Sequence, residues 1–168
     1  MIDALVEVLA LKALDRAGWL RAGVDRPESV AAHSWGVAWL ALVLCPDDLD
    51  RERVLAYAIV HDLPEVRVGD ITPADGVPAG EKAAREHAAM RELGRDLPHV
   101  RDLWEAYERQ ADPEARFVRQ LDRLDMALQA VAYSGAAPTV EFFDSAERFV
   151  DDPRLVPLMR RLRSRLRP

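Results

Sequence analysis

An all-α fold is predicted by three observations: apolar residues recur at helical spacing along the whole chain, alternating runs rich in β-branched residues are missing, and several segments open with side chains that cap helices. The first helix is expected over 3–15. The second, over 29–45, opens at Ser29, whose hydroxyl can cap it, and is apolar enough to read as a helix buried on all sides. Its span from Val30 to Leu44 is too short to cross a membrane, carries His33 and Ser34, and ends at Pro46. Further helices are expected over 50–65, 79–95 and 99–111. The helix over 113–135 has a mechanism for its start, because Asp112-Pro113-Glu114 supplies a cap, a first-position proline and a first-turn carboxylate. A helix over 139–150 follows, and Asp152-Pro153 repeats the start for a last one over 153–166. Segments 16–28 and 66–78, rich in glycine, proline and charge, are expected as the loops that carry function.

With 168 residues, no internal repeat and no low-complexity linker, the chain is expected to be one domain spanning 1–168. A formal charge of -6 argues against a general nucleic-acid binder, so an anionic substrate needs local arginines or a metal to receive it. The arginine-rich end RRLRSRLRP reads as the solvated face of the final helix, favoured there by the helix dipole. Cys45 stands alone in an apolar run and reads as a buried small hydrophobe in a reducing compartment. No basic stretch followed by a short apolar one opens the chain, so a cytoplasmic protein that neither enters a membrane nor binds nucleic acid is expected.

The chain has four histidines, and two lie in apolar surroundings: His33 in VAAHSWGVAWLALVLC and His61 in LAYAIVHDLPE. An imidazole buried without a partner costs on the order of 1–3 kcal/mol. Either ring alone could satisfy itself on a neighbouring carbonyl. Asp62 beside His61, and Asp122 between Leu121 and Leu124, change that balance, because two imidazoles and two carboxylates are a ligand set for a divalent ion. If the 50–65 helix runs to its end, His61, Asp62 and Glu65 project near one helix terminus, where two can bind metal and the third can address a water. Asp122, Asp125, Met126, Gln129 and Tyr133 form one stripe of the 113–135 helix. For Asp125, a salt bridge and a role behind the ligands are both open.

An ordered series of motifs now stands out: R-A-G-W at 16–19, P-E-S-V-A-A-H-S at 27–34, H-D-L-P-E-V-R-V-G-D-I-T-P at 61–73, E-K-A-A-R-E at 81–86, L-W-E-A-Y-E at 103–108 and L-D-R-L-D-M-A-L-Q-A at 121–130. The chain resembles the HD-domain phosphohydrolases in these motifs, and within them the 5′-deoxynucleotidase group. An isolated His-Asp pair is a weak signal, whereas the ordered series covers about Leu11 to Tyr133. The resemblance implies a helical, commonly dimeric enzyme that converts deoxynucleoside monophosphates to deoxynucleosides and phosphate. It implies one divalent ion, with cobalt, manganese, iron, zinc and magnesium all open, held by His33, His61, Asp62 and Asp122. Glu65 matches the residue that orients or deprotonates the attacking water, and Asp70 a second acid assisting the leaving oxygen. Arg16 matches the phosphate contact, and Trp19 the aromatic that helps exclude a ribose 2′-hydroxyl.

Some positions depart from the family pattern. Ala32 stands where a glutamate often precedes the first histidine, Arg123 replaces a common lysine, and Pro64 should loosen the helix before Glu65. Two other readings stay open at this point. His87 and His99 fall where binuclear HD phosphodiesterases or oxygenases keep extra ligands, although their charged surroundings favour surface positions. The alternative of a nucleotide-binding module without turnover is opposed by the presence of both Glu65 and Asp70.

Overall fold

Three of the helices start where a side-chain oxygen accepts an otherwise unpaired first-turn amide. Ser29 accepts from Ala32 N, Asp50 from Arg53 N and Asp112 from Ala115 N. The computed structural model describes residues 1–167. Its helices are α1 (Ile2–Val8), α2 (Ala17–Arg21), α3 (Val30–Leu44), α4 (Arg51–Val60), α5 (Glu65–Val68), α6 (Ala79–Leu93), α7 (Pro98–Glu108), α8 (Pro113–Tyr133), α9 (Val140–Phe149) and α10 (Val156–Arg163), with no β-strand among the described residues. The all-α expectation therefore holds.

Several boundaries move for physical reasons. The expected 50–65 helix stops at Val60, because Pro64 has no N–H to donate to the Val60 carbonyl. Leu63 N takes that carbonyl instead at 3.1 Å, and a tight turn over 61–64 carries the chain into α5. The expected loop 66–78 thus contains the rest of α5 and a 3-10 turn at Pro73–Asp75. The loop 16–28 contains α2. Its ends are drawn together by backbone pairing, Arg16 N to Glu28 O at 3.0 Å and Val30 N to Leu14 O at 2.8 Å. α10 starts at Val156 and not at 153, since Asp152 spends its side chain on a turn, accepting from Arg154 N at 2.8 Å. The first helix shortens to α1 followed by a 3-10 stretch, Leu9–Lys12.

α8 is the central element, packed against α3, α4 and α9 and, more lightly, α7 and α10. Around it lies a core of Trp19, Tyr57, Tyr107, Phe117, Leu121, Leu124, Phe143 and Leu155. A second cluster, with Leu11, Val30, Leu63, Met90 and Trp104, meets the first at Leu103. Cys45 is buried as expected.

α3 is not buried all round. Val30, His33, Val37, Leu40 and Ala41 face inward, but Trp35 is 70% exposed and Trp39 52%, with Leu42 and Val43 also exposed. These four share one side of the helix, and the two indoles stack with centroids 6.4 Å apart. An apolar composition does not by itself bury a helix. It buries only as many faces as neighbouring elements cover. No described helix is long and apolar enough to cross a membrane.

Candidate metal centre

Three pieces of chain converge beside α8. The inner face of α3 brings His33, the turn after α4 brings His61 and Asp62, and α8 brings Asp122. His33 Nε2 lies 3.4 Å from His61 Nε2, 3.2 Å from Asp122 Oδ1 and 3.7 Å from Asp62 Oδ2, and His61 Nε2 lies 3.2 Å from Asp62 Oδ2. Asp122 joins the group through His33.

The inner nitrogens are free to face one another because the outer ones are taken. His61 Nδ1 pairs with the Ala58 carbonyl at 2.8 Å and His33 Nδ1 with Asp125 Oδ2 at 2.7 Å. Neutral rings in this arrangement direct two Nε2 lone pairs at one point, beside two carboxylates. Only a cation satisfies such a set. Donors about 2.0–2.2 Å from one ion stand roughly 3.0–3.5 Å from each other; three of the four distances fall in that range and the fourth, 3.7 Å, lies just beyond it, so the residues fit a divalent ion with nitrogen and oxygen ligands.

Burial and the Arg16 charge oppose protonation of His33, yet hydrogen bonds to Asp122 and Asp125 push its pKa up to about 10. Burial likewise opposes charge on His61, but Asp62 raises it. Despite its burial, Asp62 is held well below the usual carboxylate range by His61, His33 and Arg16, and Asp122 by His33.

Glu65, the first residue of α5, is buried, and its Oε2 has no hydrogen-bond partner. Burial, then the charges of Asp62 and Asp70, raise its pKa well above the ordinary glutamate value. A carboxyl whose proton affinity is raised in this way suits general acid–base work. Arg16 Nη1 lies 3.5 Å from Asp62 Oδ2 and its Nε 3.9 Å from Asp70 Oδ2, so the guanidinium is fixed between the two carboxylates. Asp70 also accepts from Ala17 N at 2.7 Å, tying the segment after α5 to the start of α2.

Trp19 is placed differently from what a sugar-contacting residue requires. It is 2% exposed, packed on Phe142 and Tyr133, and its indole donates to Glu28 Oε1 at 2.9 Å. It therefore touches the site only through Glu28, which lies near His33 and Asp125. The structure brings His33, His61, Asp62, Asp122, Arg16 and Asp70 together, and Glu65 adjoins them. His87 and His99 are exposed, and the His87 ring rests edge-on against Trp104. A cleft of about 710 Å³ elsewhere, lined by Arg116, Phe117, Arg119 and Phe149, contains none of the site residues.

Trp104 and Glu28 escaped the sequence reading. Trp104 Nε1 donates to the His61 carbonyl at 3.2 Å, and nothing in its spacing from His61 foretold that. Glu28 lies within reach of His33 and Asp125. Its position five residues before His33, at the end of a functional loop, was the available signal.

The HD domain family model matches residues 8–150. The 5′-deoxynucleotidase HDDC2 of Homo sapiens is 40% identical over 161 residues, spanning 90% of this chain and 79% of its own. The 5′-deoxynucleotidase hdd1 of Schizosaccharomyces pombe is 35% identical over 132 residues, spanning 73% and 67%. Among solved structures, the PH0347 protein from Pyrococcus horikoshii OT3 matches with a TM-score of 0.82 at 36% identity over 98% of both chains. A predicted metal-dependent phosphohydrolase from Magnetospirillum magnetotacticum MS-1 matches with a TM-score of 0.76 at 26% identity, covering 99% and 96%.

Proposed function

Because the chain belongs to the HD domain family of metal-dependent phosphohydrolases, we propose that it is a 5′-deoxynucleotidase, releasing phosphate from deoxynucleoside 5′-monophosphates. The observation that carries this reading is the convergence of two imidazole nitrogens and two carboxylates beside a buried carboxyl with an unpartnered oxygen and a half-buried arginine.

His33, His61, Asp62 and Asp122 would hold one divalent ion. Bound there, the ion lowers the pKa of water and offsets negative charge on the phosphoryl oxygens. Arg16 receives the phosphate, as a chain of net charge -6 requires a local cation to do. Its position is set in advance by Asp62 and Asp70, so little conformational freedom is lost on binding. Glu65 takes the proton from the attacking water, whose oxygen bonds to phosphorus as the bond to the 5′ oxygen breaks. Asp70 assists the return of that proton to the leaving 5′ oxygen and keeps Arg16 in place. Trp19 shapes the sugar side of the pocket from behind. The domain runs over 1–168, and the solitary buried Cys45 suits a cytoplasmic setting.

We further propose a homodimer formed through the outer face of α3. The exposed parts of Trp35, Trp39, Leu42 and Val43 offer roughly 500 Å², since an aromatic side chain alone covers about 150–250 Å². That is a large share of the ~800 Å² per partner in a standard interface. A twofold axis would bring the stripe onto its own copy.

Phosphate release from a panel of ribo- and deoxynucleoside monophosphates, with cobalt or manganese and with chelator, tests the function. Release from deoxynucleotides that chelator abolishes is expected. No release from any nucleoside monophosphate with either metal would end the reading.

A further inference from the structure

We infer that Asp125 and Gly36 are positioning residues that set the tautomer and orientation of His33 for metal, an inference that rests on the metal centre proposed above. His33 is fully buried and presents Nε2 to the cluster. A carboxylate can only accept, so Asp125 at 2.7 Å places the ring proton on Nδ1 and leaves the Nε2 lone pair for the ion. Among the described residues the Asp125 side chain has no hydrogen-bond partner other than His33. Asp122 and Asp125 stand three apart on α8 and grip opposite edges of one ring, the first at Nε2 and the second at Nδ1.

Gly36 explains how Asp125 reaches that far. It lies inside α3, where a glycine costs about 1 kcal/mol relative to alanine. Its φ is not positive, so backbone freedom does not account for it. A Cβ there would stand 2.3 Å from Asp125 Oδ1, 3.0 Å from Cγ and 3.2 Å from Oδ2. The missing side chain is a notch in α3, one turn beyond His33, that admits the carboxylate of α8. His61 needs no such device, because its Nδ1 is held by the Ala58 carbonyl of its own helix end.

The two effects separate in a double-mutant cycle on the full chain, read by calorimetric titration with Zn²⁺ and Mn²⁺ and by ¹⁵N-histidine NMR of the zinc-loaded protein. Asp125→Asn and Asp125→Ala should each weaken metal binding about 10–100-fold, the usual effect of losing a carboxylate behind a ligating histidine. Gly36→Ala should do the same by displacing the carboxylate, yet add nothing in the Asp125→Ala background, where its methyl has room. That double variant also keeps the test valid should Gly36→Ala alone fail to fold. The His33 Nδ1–H signal should be present in the wild type and lost or mixed with the other tautomer in Asp125→Asn. Wild-type affinity with a retained Nδ1–H signal in Asp125→Asn, or an equal loss from Gly36→Ala in both backgrounds, would overturn the inference. A wild-type protein that binds neither ion would instead overturn the metal centre itself.

Discussion

Glu65 has no hydrogen-bond partner for Oε2 and sits against two like charges, so the fold gives up stability to keep it there. A carboxyl whose pKa is raised on folding binds its proton more tightly in the native state than in the unfolded chain. Its destabilising effect is absent below the ordinary value of 4.5 and grows as pH rises toward the raised one. Metal-free Glu65→Gln should therefore melt above the metal-free wild type at neutral pH, with the difference shrinking toward pH 4; differential scanning calorimetry at several pH values checks it. With metal, the same variant should keep metal and nucleotide binding while turnover falls ~10²–10⁴-fold, as for a lost general base. Wild-type turnover would remove Glu65 from the chemistry. Trp19 calls for a gentler substitution, because truncating so buried an indole to alanine costs about 3–5 kcal/mol in its own right. Trp19→Phe keeps most of the packing and deletes the bond to Glu28. It should narrow the preference for deoxy- over ribonucleotides more than it lowers kcat, as paired kinetics on the two substrates would reveal.

The turn between α4 and α5 is the element on which the site depends, and Pro64 is its cause. A continuous helix would place His61, Asp62 and Glu65 together near one helix terminus. The break at Val60 leaves His61 with its backbone N–H on Tyr57 O and its ring on Ala58 O, while Trp104 from α7 holds its carbonyl. The start of α8 is secured independently. Asp112 caps Ala115 N with one oxygen, and its other oxygen accepts from the buried Tyr57 at 2.8 Å and pairs with Arg53 at 3.2 Å. Loss of the cap alone costs about 0.5–2 kcal/mol, and stranding the Tyr57 hydroxyl adds to it. Asp112→Ala should lower the urea midpoint accordingly with metal affinity unchanged, since Asp112 belongs to none of the metal-site contacts. An equal loss of metal affinity would show that α8 is positioned by its N-terminus and not by the core along its length.

Taken as a molecule, the chain turns one side of α3 toward its catalytic interior and leaves the other side apolar and uncovered. His33 and Gly36 serve the first side, Trp35 and Trp39 the second. Trp35→Glu with Trp39→Glu should shift sedimentation at micromolar concentration from dimer to monomer, and the unaltered inner face should preserve metal binding. A wild type that sediments as a monomer removes the dimer outright.

The helical class, most helix starts and the residues that converge beside α8 were legible in the sequence because their causes are local or chemically distinctive. Caps act within three residues, proline at 64 removes a particular amide, and histidines in apolar runs demand partners wherever they end up. The burial of Trp19, the bared face of α3, the carbonyl held by Trp104 and the notch at Gly36 were decided by tertiary structure alone. Each depends on which element covers which face, and a helical period states that a face exists without naming its neighbour. Asp125 marks the boundary between the two: its spacing from Asp122 put it on the right stripe of α8, but only the close approach of α3 and α8 turned that stripe toward His33.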